Sequence, residues 1–251
     1  MKRKILITIS LLLVLLFAFG GCSKTTKPSE KTSSSAYFIN DDMALIVPDG
    51  TDPSTLIWNI KASMVEYVNP ELDAAFEAGL NYIDPRDIMV NAITEITGPY
   101  LERRMSANFR YPDWYGGSYI MRRQEYGVDA PYESDGTDEP FKYCLQVTRG
   151  MESQIEDLKE LLKPYEDYVI YKTVKFSVNQ RMDFLDSVMK PAFDELGVKC
   201  PGCGPDFLTN SVEYAVYEEY FNEDIFALAK KLANDYGYTI IIIKSGPGIA
   251  E

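Results

Sequence analysis

Cys200-Pro201-Gly202-Cys203-Gly204 is the sharpest concentration of reactive side chains in the 251-residue sequence. Two cysteines three positions apart across a Pro-Gly turn look like one knuckle of a zinc ribbon. A structural zinc site takes four ligands, usually Cys or His, and the sequence holds four cysteines and no histidine. With Cys22 assigned below to a lipid, Cys144 is the remaining thiol. Cys144, Cys200 and Cys203 are therefore weak metal candidates, one ligand short. A redox reading needs a stabilised thiolate, typically at a helix N-terminus. Cys200 instead follows a predicted helix C-terminus, where the dipole opposes negative charge. The plainer alternative is a tight loop with a local disulfide or two idle thiols, which an oxidising compartment permits. Cys144 then reads as an ordinary buried strand thiol, and no cofactor is expected.

Carboxylates are the next group that does chemistry. Glu213, Glu218, Glu219, Glu223 and Asp224 lie close in sequence, and paired carboxylates hydrolyse glycosides. Glu223 and Asp224 already have a role at a helix start, where negative charge suits the dipole. The run Glu133 to Glu139 offers oxygens for calcium but lacks the Asp-x-Asp-x-Asp-Gly register of an EF-hand loop, so a solvated loop is expected. Lys244-Ser245-Gly246-Pro247-Gly248 has no helix behind it and is no phosphate loop. Trp114, Tyr115 and Tyr119 suit a sugar platform or, more simply, packing at a hairpin base. The lack of histidine excludes Ser-His-Asp and Cys-His catalysis and His-based metal sites. The protein is read as non-catalytic.

The first residues determine where any of this takes place. Lys2, Arg3 and Lys4 precede an apolar run from Ile5 to Phe19, and Gly20 and Gly21 precede Cys22. Charged, apolar and small segments in that order make a secretory signal. The 15-residue run is shorter than the ~20 residues a spanning helix needs. Phe19-Gly20-Gly21-Cys22 resembles a lipobox, with Phe19 where Leu is usual. Residues 1–21 are thus expected to be cleaved and Cys22 to carry the lipid. Residues 22–36 hold no large apolar side chain and read as a disordered tether reaching roughly 20 Å. Removing residues 1–21 takes three of the 25 cations and no acid, leaving 22 against 38, a net charge of −16. That charge repels nucleic acid and anionic lipid headgroups. Membrane contact is expected through the lipid.

The expected fold class is α+β. Residues 37–109 read as a helical subdomain: Leu56, Ile60, Met64 and Tyr67 recur at helical spacing, and Leu72, Ala75, Phe76 and Gly79 suggest a second helix. Asp84-Pro85 opens a third over Ile88 to Ile96, and Gly98-Pro99 breaks the pattern. Residues 110–251 read as an α/β domain. Ser118–Met121 and Tyr143–Thr148 are strands around a polar loop at 123–140. Two β-α-β units follow, 143–176 and 212–244, joined by a helix and expected to share one small mixed sheet with right-handed crossovers. Ser153…Glu156 and Ser177…Gln180 have capping-box spacing. The linking helix places Met182, Leu185, Met189, Phe193 and Leu196 inward, with Pro191 kinking it and Gly197 ending it. Asn222 caps the last helix, whose apolar face is Ile225, Leu228, Leu232 and Tyr236. Four consecutive isoleucines, Ile240 to Ile243, suit a strand buried on both faces.

Trp114-Tyr115-Gly116-Gly117-Ser118-Tyr119-Ile120, followed by Leu145-Gln146-Val147-Thr148, resembles the prodomain-like segment of bacterial chymotrypsin-fold serine proteases of the streptogrisin and alpha-lytic type. Those segments carry a Gly-Gly-x-Tyr-Ile strand, a tight turn, a strand ending in Val-Thr and a helix. A long helix and another β-α-β step follow, as in Val178 to Ile243. The resemblance covers roughly residues 110–245. The insertion at 123–140 and the Cys200 knuckle depart from it, and the module is expected to stand without a protease domain. It implies a folding-assistant or protease-inhibitor-like module that binds a protein, such as an extracellular protease. Tyr171, Tyr214 and Tyr217 on the strands and Ile249 and Glu251 in the tail are the expected partner-binding residues. Alternatives left open are a small-ligand or metal-binding surface lipoprotein and, behind it, a carboxylate-based hydrolase.

Overall fold

The computed structural model describes residues 35–64, 74, 77–79, 85–122 and 141–246, all within one compact unit, Lys31–Glu251. The signal segment, Cys22, the acidic loop, most of the second expected helix, Ile249 and Glu251 lie outside the described residues. The strands are β1 (Tyr37–Asn40), β2 (Met43–Ile46), β3 (Tyr115–Arg122), β4 (Phe141–Thr148), β5 (Val169–Val174), β6 (Cys203–Asp206), β7 (Ser211–Tyr217) and β8 (Ile240–Ser245). The helices are α1 (Ser54–Ser63), α2 (Pro85–Glu102), α3 (Glu156–Leu162), α4 (Val178–Phe184 and Lys190–Asp194 around a π-helical turn, Leu185–Met189) and α5 (Glu223–Tyr236). The protein is α+β.

The strands form two mixed sheets, where the sequence reading has one. The larger has the order β1-β2-β8-β7-β6 and the smaller β3-β4-β5. Both expected β-α-β steps are present, since β4 and β5 run parallel and so do β7 and β8. The two steps sit in different sheets. The short strands β1 and β2 fall within the stretch expected to be helical, and β2 pairs antiparallel with β8 from Met43↔Ile243 to Ile46↔Ile240. A four-residue strand carries too few residues to reveal its period. The tether also ends earlier than its composition suggests, because Ala36 is buried against the main core.

β8 is covered on both faces, as its isoleucine run predicts. Ile240 and Ile242 join Val212, Tyr214 and Val216 beneath α4 and α5, while Ile241 joins Leu45, Val47 and Ile60 beneath α1. Each fully buried aliphatic side chain of this kind contributes about 1.5–3 kcal/mol. α5 is held at both ends. The Asn222 carboxamide accepts from the Asp224 and Ile225 backbone amides, and Gly237 closes the helix at φ 75°. Its apolar face is shifted by one position from the reading: Phe226, Ala229 and Ala233 are buried beside Ile225 and Leu232, and Tyr236 is exposed.

The smaller sheet packs its inner face, Tyr143, Leu145, Val147 and Val169, against α2 and α3. α2 continues through Gly98 and Pro99 to Glu102. Tyr100 and Leu101 are buried beyond the proline, and Tyr100 bonds Asp157 of α3, so tertiary contact outweighs one missing amide. Of the two capping boxes, Ser177–Gln180 forms reciprocally. Ser153 lies inside a 3-10 turn whose cap position is Met151, and no side chain caps it. Pro191 produces no broken helix. The helix passes through a π-helical turn just before the proline and resumes over Lys190–Asp194, with Pro191 in the first turn of that segment. The chain leaves α4 through Gly197 at φ 72°, which puts Leu196 in solvent rather than inward.

Candidate functional site

Arg181 joins the two sheets, and its charge hides it from a hydrophobicity pattern. It lies four residues before Leu185, on the row continued by Met189 and Phe193, and so shares the inward face of α4. Its residue exposure is 0%. The guanidinium donates to the carbonyls of Asp206 and Ser211 in the larger sheet and of Gly116 in the smaller. The Phe207 ring lies 5.4 Å from it. Burial pulls its pKa down to about 10. The close approach explains the Gly-Gly pair of β3: Gly117 has φ 120°, and a Cβ there would run into the Phe207 ring. The Gly116-Gly117 motif thus positions one sheet against the other.

A cleft of about 310 Å³ opens between α1, β5 and the β6–β7 turn. Leu56 and Asn59 form one wall, Lys172 and Val174 another, and Gln146 and Asn210 close the end. Asn210, at φ 56°, accepts from the Phe176 amide and donates to the Phe176 carbonyl, clamping the exit of β5 to the turn. Gln146 is fully buried and donates to the Phe207 carbonyl, while its Oε1 has no partner among the described residues. β5 is the outer strand of the smaller sheet. It presents Tyr171 at 37% exposure, with the Lys159 ammonium 5.6 Å from the ring. Burial of the hydroxyl and the nearby Glu156 charge raise the Tyr171 pKa to about 12.

The expected contact face of three tyrosines does not form. Tyr171 belongs to the smaller sheet and Tyr217 to the larger, and Tyr214 is buried. The correction follows from pleat alternation, because Val212, Tyr214 and Val216 share the side covered by α4 and α5. Tyr214 stacks on Phe193 with 4.6 Å between ring centroids. Trp114 and Tyr115 are likewise core residues, packed edge to face at 5.8 Å.

The carboxylates are dispersed along β7 and beyond it. Glu213 stands beside Gly204 and Ile241 within the larger sheet. Burial, reinforced by Asp206, lifts its pKa to about 7. Glu218 and Glu219 are exposed in a 3-10 turn, and Glu223 and Asp224 are exposed at the start of α5. Cys144 is fully buried in β4, while Cys200 and Cys203 lie half-buried against the core of the larger sheet, so the three thiols do not share a site. Among the described residues no group of three or more His, Cys, Asp or Glu is placed to hold a metal ion. None of the described helices is long and apolar enough to cross a membrane.

The described residues form a two-sheet α+β fold in which a cleft opens beside an outer strand. No protein-family model matches the sequence, and no curated protein matches it.

Proposed function

We propose that this chain is a non-catalytic extracytoplasmic lipoprotein, anchored by a lipid on Cys22, whose folded unit binds a protein partner. The anchor rests on the order of cations, apolar run, paired glycines and cysteine in residues 2–22. Binding rests on β5, an outer strand that presents Tyr171 on its α3 side and lines the cleft with Lys172 and Val174 on the other. A strand edge recruits an extended segment through backbone hydrogen bonds, and an aromatic side chain beside it supplies contact area. The prodomain-like motif at 114–120 suggests the type of partner, an extracellular protease that the module assists in folding or inhibits. A second reading, a small-ligand lipoprotein, draws on the same cleft and the unpartnered Gln146 Oε1.

Cell fractionation of Cys22→Ala tests the anchor. The variant should leave the membrane fraction or accumulate as unprocessed precursor, and a processed variant that stays on the membrane would sink the reading. Surface cross-linking of cells carrying Tyr171→Ala tests the binding face. Loss of a cross-linked protein at unchanged melting temperature is expected. An unchanged cross-linking pattern removes β5 from the proposal.

A further inference from the structure

Cys200 and Cys203 flank the turn that leads from α4 into β6, and three neighbours set their chemistry. The Cys200 thiol donates to the Gly202 carbonyl at 3.1 Å and lies beside the Cys203 thiol. Cys203 pairs with Tyr214 across β6 and β7. The Tyr214 hydroxyl is buried and has no hydrogen-bond partner of ordinary geometry among the described residues, and the Cys200 and Cys203 sulfurs are among its polar neighbours. A buried phenol normally finds a partner, and the two thiols stand beside this one. Lys190, which opens the last segment of α4, pairs with Asp186 at 2.6 Å, and Cys203 lies among the groups that act on its ammonium. The helix that was expected to disfavour a thiolate at this loop therefore supplies a cation to it.

We propose that Cys200 and Cys203 form a reversible dithiol–disulfide couple that exchanges with external disulfides, Cys203 attacking and Cys200 resolving. Cys203 loses its proton to solvent, and the thiolate rests beside the Lys190 ammonium. It attacks one sulfur of an external disulfide, whose S–S bond breaks, and the departing thiolate takes up a proton. Cys200 then loses its proton and attacks the Cys203 sulfur of the mixed disulfide. The second external thiol leaves, and the Cys200–Cys203 bond closes across Pro201 and Gly202. Two electrons pass from the protein dithiol to the external disulfide, which becomes two thiols, and the reverse reaction reduces the protein. Burial and the neighbouring Cys203 push the Cys200 thiol up to about 11, which suits a thiol that acts within the mixed disulfide rather than on a partner in solution. Cys144, buried in the other sheet, takes no part.

The test uses the full chain equilibrated with defined mixtures of reduced and oxidised glutathione, acid-quenched, alkylated and mapped by mass spectrometry. Cys200 and Cys203 should lose alkylation together in one two-electron transition. Cys200→Ser should accumulate glutathione on Cys203, and Cys203→Ser should accumulate none on Cys200. Lys190→Met should slow the reaction with oxidised glutathione at neutral pH about three- to tenfold, and Lys190→Arg should restore it. Three results overturn the proposal: a bridge that excess dithiothreitol cannot open in the folded protein, thiols that stay free in excess oxidised glutathione, or one tightly held zinc per chain. Wild-type kinetics in Lys190→Met overturn the assignment of Cys203 as the attacking thiol.

Discussion

The units β4-α3-β5 and β7-α5-β8 have the same element order and nearly equal length, yet they do opposite things in the fold. The second lies inside a five-stranded sheet, with β6 and β2 on its flanks and helices on both faces. The first ends at an outer strand, where only the end residues Val169 and Val174 are buried and Tyr171 is the exposed aromatic. Their helices differ in the same direction. α5 spans 14 residues and is capped at both ends, whereas α3 spans seven and enters and leaves through 3-10 turns without a side-chain cap. The difference teaches that a supersecondary unit does not carry its own stability role. Neighbouring strands and covering helices assign one unit to the core and leave the other at the edge of its sheet among the described strands.

Arg181 decides whether that comparison describes one cooperative body or two. Arg181→Ala leaves the carbonyls of Gly116, Asp206 and Ser211 without their donor and opens space at the junction. It should cost about 3–5 kcal/mol in urea denaturation. One transition, shifted to lower urea, is the expected form. Two transitions in the variant would show that the units fold separately and that Arg181 joins them only loosely.

Glu213 sharpens the contrast from the side of the buried unit. Its folded pKa of about 7 stands above the ordinary 4.5, so the folded state binds the proton more tightly than the unfolded chain. Stability should therefore fall as pH rises from about 4.5 to 7 and level off on either side. Glu213→Gln should flatten that fall. Above pH 7 it should be more stable than wild type by on the order of 1–2 kcal/mol, allowing for solvent screening of a half-buried group. Equal stabilities at pH 4 and pH 8 in both proteins would show that the carboxyl is not confined by the sheet.

The smallest effect separates the two helix starts. Asn222→Ala should cost about 1 kcal/mol, because it frees the amides of Asp224 and Ile225. Ser153→Ala should change thermal stability by less than about 0.5 kcal/mol, since its hydroxyl caps nothing. Equal losses would contradict the distinction drawn between α5 and α3.

Sequence alone determined the local events. The Ser177 box, the Asn222 cap and the glycines at 197 and 237 were legible because each depends on residues within a turn or two of one another, and the parallel steps and the doubly buried isoleucine strand were legible from element order and an unbroken apolar run. It also contained the Gly116-Gly117 pair and the Cys200 knuckle as motifs without stating their purpose. The tertiary structure decided what depends on partners distant in sequence. It split the strands into two sheets, carried β1 and β2 to the edge of the C-terminal strands, and kept α2 helical through Pro99 by burying Tyr100. It sank Tyr214 into the core. It also put a charged Arg181 on an inward face whose spacing predicts an apolar residue, because three carbonyls from two sheets converge there and need a donor with several arms. The thiol pair shows the same division. Spacing placed two sulfurs in one turn, but only tertiary packing set α4 with Lys190 near Cys203 and the pairing of β6 with β7 set the Tyr214 phenol beside the pair.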